Sequence, residues 1–233
     1  MLPAADGPSL ETGRAGRADG REHGLGGQRR SPWPGTLAAG AALVLGAWML
    51  HGGGRILPPL PTAEQGVDAL GLPIVVAPPM PRAAPTRIRI RGAGVDAPVT
   101  GLALDGDGRL QPPPEDDDNL AGWYAAGTAP GESGTAVLAG HVDTADGPAV
   151  FYRLGTLHRG DQVEIARADR TTAYFAVDGV EVYPKAEFPD RKVYAAAPNA
   201  QLRLITCGGG FTRQHGYDGN VVVYAHLVRA AAA

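Results

Sequence analysis

Cys207 is the single cysteine of the chain. A lone cysteine closes no intramolecular disulfide, and in an exported protein it stands out as a reactive thiol. The bland alternative is a small buried hydrophobe, a common fate of free cysteine. The neighbours decide between the two. Leu204-Ile-Thr-Cys207 closes an alternating run, and Gly208-Gly-Gly210 follows directly. This context predicts a strand that ends at Cys207, with the sulfur at a sheet rim and room for another backbone to approach. A structural cysteine gains nothing from three adjacent glycines, which cost conformational entropy. A thiolate is the reactive form and needs a base or cation beside it. Of the six histidines, His23 and His51 precede the globular part. His158 sits in a polar turn, His215 in a loop and His226 inside a β-branched run. His141 alone follows a short apolar run, Gly134–Gly140, and opens a turn, Val142–Pro148. It is the imidazole placed to reach across to another strand end.

The elements that must position this pair read as strands. Arg87–Arg91 alternates polar and apolar, the period-two signal of a half-buried strand. Gln201–Thr206 alternates likewise, Gln162–Ala166, Thr172–Val177 and Val180–Tyr183 read as further strands, and Asn220–Val228 is a long β-branched one. Asp105-Gly-Asp-Gly108 is a hairpin turn signal. Asp178-Gly179 interrupts one strand, and the best helical signal is the short Ala149–Leu154 stretch. Many short strands between Gly, Pro and Asp turns predict an all-β domain, a closed barrel or a sandwich.

Ahead of this domain the composition changes. Residues 1–32 are rich in Gly, Ala and Arg without apolar periodicity and read as disordered. Trp33–Leu50 carries no charge, and at 1.5 Å per residue it spans about 27 Å, just enough for a hydrocarbon core of about 30 Å. The sequence after it lacks a small-x-small cleavage site, so an uncleaved membrane anchor is expected. Arg14, Arg17, Arg21, Arg29 and Arg30 precede it, which puts the N-terminus in the cytoplasm. Residues 51–85 are proline-rich and read as a semi-rigid extracytoplasmic linker, leaving 86–233 as the catalytic domain. A net charge of −3 gives no electrostatic case for nucleic acid.

The Gly140-His-Val-Asp143 and Leu204-Ile-Thr-Cys207 segments resemble the sortases, cysteine transpeptidases whose hallmark is a strand ending in Leu-x-Thr-Cys. Thr-Cys-Gly-Gly, Gly-Pro-Ala-Val-Phe151 and Asn220-Val-Val-Val-Tyr-Ala225 are similar to the actinobacterial class F members. The resemblance spans 86–229 and implies a closed eight-stranded sortase-type β-barrel with one or two short helices. It implies cleavage of an LPxTG-like signal between Thr and Gly through an acyl-thioester on Cys207. His141 would serve as acid and base, and an amine from peptidoglycan precursor would resolve the thioester. The implied partners are secreted proteins with a C-terminal sorting signal. A monomer is expected, without cofactor or metal, and Glu115–Asp118 reads as a solvated acidic loop.

One departure matters. Many members carry an arginine just before the Asp or Asn that opens the last strand, and here Asp218 stands at about that place. Arg213 is then the candidate guanidinium, with Arg203 as fallback. Thr206 is a candidate support for the site and Asp143 a candidate orienter of His141. Two readings compete with transpeptidation. One is a cysteine endopeptidase that passes the acyl group to water. The other is a non-catalytic β-domain that binds wall peptides, which the missing downstream arginine favours. An L,D-transpeptidase is disfavoured, because Cys207 lacks that family's Ser-x-Gly-Cys-x-Arg setting.

Overall fold

The structure, a computed structural model, describes residues 56–67 and 76–232. The expected tail (1–32) and membrane helix (33–50) lie outside the described residues. Among the described residues, no helix is long and apolar enough to cross a membrane.

The strands are β1 Pro85–Ile90, β2 Val95–Leu102, β3 Ala121–Tyr124, β4 Gly134–Gly140, β5 Asp143–Thr144, β6 Gly147–Pro148, β7 Gln162–Arg167, β8 Thr171–Pro184, β9 Ala200–Thr212 and β10 Gly216–Ala232. Eight of them close into a barrel in the order β1-β2-β3-β4-β9-β10-β8-β7, while β5 and β6 form a small separate ribbon. The all-β expectation and the eight-stranded closure therefore hold. Closure leaves no open edge, and the period of two sends alternate residues into one core. Ala136 and Leu138 of β4, Leu202 and Leu204 of β9, and Val221, Val223, Ala225 and Leu227 of β10 meet there, around Phe151 and Phe175. The opposite face of β8, β9 and β10 carries a second cluster. Val222 and Tyr224 pack there with Tyr183, Ile205, Phe188 and Val193, the last from a five-residue helix, Asp190–Tyr194.

Three local expectations change. β9 does not stop at Cys207 but runs on to Thr212, because the glycines still pair with β10: Gly208 lies opposite Gly219. Asp178-Gly179 does not break β8; the register slips there between Tyr224 and Ala225 of β10. The bulge brings Asp178 to His226, whose Nδ1 lies 2.7 Å from the carboxylate. Ala149–Leu154 forms turns that lead into a 3-10 turn at Leu154–Thr156 rather than a helix.

The stretch 51–85, expected as a spacer, is packed onto the barrel where it is described. Gln65 is buried and its amide donates to the carbonyls of Gly155 (3.1 Å) and Leu157 (2.5 Å). Gly155 has no side chain because one would land on the Pro59 carbonyl, 2.0 Å from a built Cβ. Tyr152 donates its hydroxyl to Ile56 and Leu57 carbonyls. Further along, the Ala77 and Met80 N–H groups donate to Leu227 and Gly131 carbonyls. Prolines leave few N–H groups in this chain, and several of those present are used against the barrel.

Glu181 fastens this strap to the Asp190–Tyr194 helix. Its carboxylate accepts from the Val67 N–H, the Lys192 ammonium and the Tyr183 hydroxyl. Burial pushes the Glu181 carboxyl up, but Tyr183, Lys192 and Val67 outweigh it and hold the group below its ordinary value. A depressed carboxylate stabilises the fold above its unfolded value of about 4.3 and loses that contribution as pH falls through the folded value. Hydrogen exchange over 56–67 and 190–194 should therefore accelerate below about pH 4, and Glu181→Gln should remove most of that acid sensitivity. Gln65→Ala, which leaves two carbonyls unpaired, should cost about 1–3 kcal/mol in urea unfolding and make the chain ahead of Thr86 sensitive to protease.

Candidate active site

Strand alternation sets which residues share a face. Because Leu202 and Leu204 point into the barrel, Arg203, Ile205 and Cys207 point outward. Because Ala136 and Leu138 point inward, Val137, Ala139 and His141 follow the outward side. β4 and β9 run parallel, with Val137 beside Arg203 and Ala139 beside Ile205. This pairing ends at Ala139 and Ile205; the same register carried two residues further, past the end of β4, would set His141 beside Cys207. One contact holds the intervening step: the Thr206 hydroxyl donates to the Gly140 carbonyl at 2.9 Å. Neighbouring strands lie about 4.8 Å apart, so on that register the two residues would leave backbones one strand spacing apart. Both are partly exposed, as a site that meets a large substrate requires.

Packing explains why glycine precedes His141. A Cβ at Gly140 would stand 2.7 Å from Phe151 and Val150. His141 Nε2 lies 2.8 Å from the Pro113 carbonyl. A carbonyl only accepts, so Nε2 carries a proton there. In the neutral ring Nδ1 is then the lone-pair nitrogen. Pro113 comes from the loop between β2 and β3, a contact that no local pattern in the sequence signals.

Asp143 follows His141 by two residues, and its carboxylate accepts a 2.6 Å hydrogen bond from the Tyr217 hydroxyl. This ties the loop after His141 to the base of the β9–β10 hairpin, where Tyr217 also stacks on Phe211 with centroids 5.0 Å apart. The glycines after Cys207 have an internal use. A Cβ at Gly208 would meet Val221 at 2.6 Å, and Cβ atoms at Gly209 and Gly210 would meet the Asp218 carboxylate at 2.4 and 2.7 Å. Gly209 also has φ +87°, which favours glycine. The space these residues leave is filled by Val221 and Asp218.

The two candidate arginines are not in this row. Arg213 occupies the turn between β9 and β10, exposed, six residues beyond Cys207. Arg203 shares the outward face but sits four residues back along β9, roughly 13 Å at 3.3 Å per residue. Its guanidinium is held by Gln201 and the Leu202 carbonyl and lies over Tyr224, 4.5 Å from the ring centroid. Burial pushes that guanidinium down from its ordinary value. The residue opposite Cys207 on β10 is Asn220, which the sequence reading passed over.

A histidine and the single cysteine thus lie toward the ends of neighbouring parallel strands of a closed β-barrel. A model of the sortase domain matches residues 88–228. The chain therefore belongs to the sortase family. Among solved structures it is similar to sortase A from Listeria monocytogenes (16% identity, 65% of this chain and 92% of that one, TM-score 0.49). It is also similar to SrtA from Actinomyces oris (22%, 69% and 88%, 0.47) and a sortase E variant from Streptomyces avermitilis (22%, 64% and 91%, 0.47). No curated protein matches the sequence.

Thr206 is 4% exposed, so its hydroxyl has no water to replace a lost partner. Thr206→Val keeps the shape and leaves the Gly140 carbonyl short of a donor. It should lower stability by about 1–3 kcal/mol. It should also slow modification of Cys207 by active-site-directed acyl donors more than modification by small alkylating agents, since only the former needs His141 in register.

Proposed function

We propose that the chain is a membrane-anchored cysteine transpeptidase of class F type. It would act outside the cell on proteins with an LPxTG-like C-terminal signal. The observation that carries this reading is the parallel β4–β9 register within a sortase domain, which extrapolates past Ala139 and Ile205 to His141 and Cys207. Cys207 attacks the Thr carbonyl as a thiolate. The C=O pair shifts to oxygen, then returns and expels the Gly amine, which takes its proton from His141. The thioester keeps the bond energy of the cleaved peptide. Aminolysis by a peptidoglycan-precursor amine therefore needs no further energy source, and His141 accepts the proton of the incoming amine. The Pro113 carbonyl holds the ring for both steps. Arg213, exposed in the turn at the hairpin end, is the candidate guanidinium that would meet the thiolate or the oxyanion if that turn folds toward Cys207. Thr206 and Asp143 keep the two strands and the His141 loop in place.

The charge-free Trp33–Leu50 stretch supports a single-pass anchor with the N-terminus in the cytoplasm, and the enzyme works as a monomer without cofactor or metal. The same residues would serve a cysteine endopeptidase, and the two differ only in what intercepts the thioester. The absence of a guanidinium from the Cys207 row favours the non-catalytic reading, a barrel that only holds wall peptides.

Incubating the full chain with an LPxTG-type peptide and hydroxylamine separates these readings. Wild type should give the peptide hydroxamate, Cys207→Ala none, and His141→Ala a rate lower by about 10²–10⁴. Release to water that an added amine does not divert would identify an endopeptidase. No product from wild type, with peptide binding retained, would leave the binding module.

A further inference from the structure

We propose that the Asn220 carboxamide is the oxyanion donor of this site, in the role for which an arginine would be looked for. The inference rests on the acyl-transfer reading of Cys207 given above. Asn220 of β10 is the direct cross-strand partner of Cys207 on β9. Directly opposed residues share a face, with Cβ atoms about 4.5–5.5 Å apart. The outward face of the sheet thus pairs Cys207 on β9 with Asn220 on β10, and the β4–β9 register extrapolates to His141, the residue after β4, on the other side of Cys207. The acid/base group stands on one side of the sulfur and an amide on the other.

The amide is free for this use. Asn220 is half-buried, and its carboxamide has no hydrogen-bond partner among the described residues. It offers two N–H donors and one acceptor oxygen, and an unspent polar group near a reactive thiol is available to a substrate. The neighbours that might compete are committed elsewhere. Arg203 is held by Gln201 and Leu202. The Asp218 carboxylate is folded over Gly209 and Gly210, and it has no proton to donate when ionised. Glu181 and Tyr183 are bonded to each other.

The chemistry balances without a charge on Asn220. As the Cys207 thiolate bonds to the carbonyl carbon, the π pair moves onto oxygen. The Asn220 Nδ2–H donates to that developing oxyanion and keeps its proton. When the pair returns, the C–N bond breaks and the amine leaves with the proton from His141. A donor placed before the reaction stabilises charge where it develops, and removing one such donor lowers the rate by about 10²–10³.

The test separates acylation from alkylation of the same sulfur in the full chain. p-Nitrophenyl acetate acylates through an oxyanion, whereas iodoacetamide builds none, so the two rates at Cys207 are followed by mass for wild type, Asn220→Ala, Asn220→Leu and Asn220→Gln. Acylation should fall about 100-fold in the Ala and Leu variants, with partial recovery in the Gln variant, while alkylation stays within about twofold of wild type. With an LPxTG-type peptide the loss should appear in kcat and not in KM. Acylation within about threefold of wild type in both Ala and Leu variants overturns the proposal. So does alkylation that falls in parallel, or a wild-type acylation rate no greater than that of free cysteine at the same thiolate fraction. If the ester shows the loss but wild type turns over no peptide, the sorting reading fails while Asn220 stands.

Discussion

A slip of one residue between β4 and β9 would carry every side chain of one strand to the other face of the barrel. His141 or Cys207 would then enter the core, and the two would never meet. The register is guarded from both sides. On the inner face, Ala136 and Leu138 of β4 and Leu202 and Leu204 of β9 fill the barrel interior with no exposure at all. At the end of the pairing, the Thr206 hydroxyl holds the Gly140 carbonyl, one residue short of the reactive pair. The site is thus built from two strand ends whose positions follow from core packing, and its precision comes from the part of the molecule that is hardest to deform.

The region beyond Cys207 is shaped by close approach. Three glycines let Val221 and the Asp218 carboxylate lie directly against β9, so β9 and β10 stay paired through the bulge and Asn220 remains opposite Cys207. The Tyr217–Asp143 hydrogen bond then closes the outline by tying this hairpin to the loop that leaves His141. Position 218 lies next to two backbone segments that leave space for a short side chain bent back on them. An arginine there would have to extend elsewhere, and the two candidate arginines are in other places: Arg203 over the Tyr224 ring and Arg213 in the turn.

Much of the barrel was legible because it depends on alternation, a local property. β1 and β9 are visible as period-two runs and β10 as a β-branched one, and His141 and Cys207 stand out as reactive types at the ends of an apolar and an alternating run. What was not legible depends on register between distant segments. Cys207 and Asn220 face each other only because the hairpin turn and the bulge at Gly208–Gly219 take up a particular number of residues. Pro113 reaches His141 from a loop with no periodicity. The proline-rich strap misled for a different reason. Proline content signals extended backbone, and extended backbone serves a spacer or a docked segment equally well. The distinction lies in Gln65 and its two carbonyl partners, ninety or more positions away along the chain.

A neutral donor next to the sulfur would make this site work differently from one with a guanidinium. A cation beside the sulfur lowers the free energy of the resting thiolate as well as that of the oxyanion. Part of its effect is therefore spent before the reaction begins, and only the difference between the two states accelerates it. A carboxamide interacts weakly with the resting thiol and strongly with a full oxyanion, so nearly all of its effect falls on the transition state. Formation of the thiolate is then left to the imidazole alone. The fold meets that demand by placing His141 in the adjacent strand position and by fixing its ring through the Pro113 carbonyl, which accepts from the neutral ring and from the imidazolium alike. On the proposed reading the division of labour across the row would follow: the end of β4 would supply the proton chemistry, β9 the nucleophile and β10 the dipole.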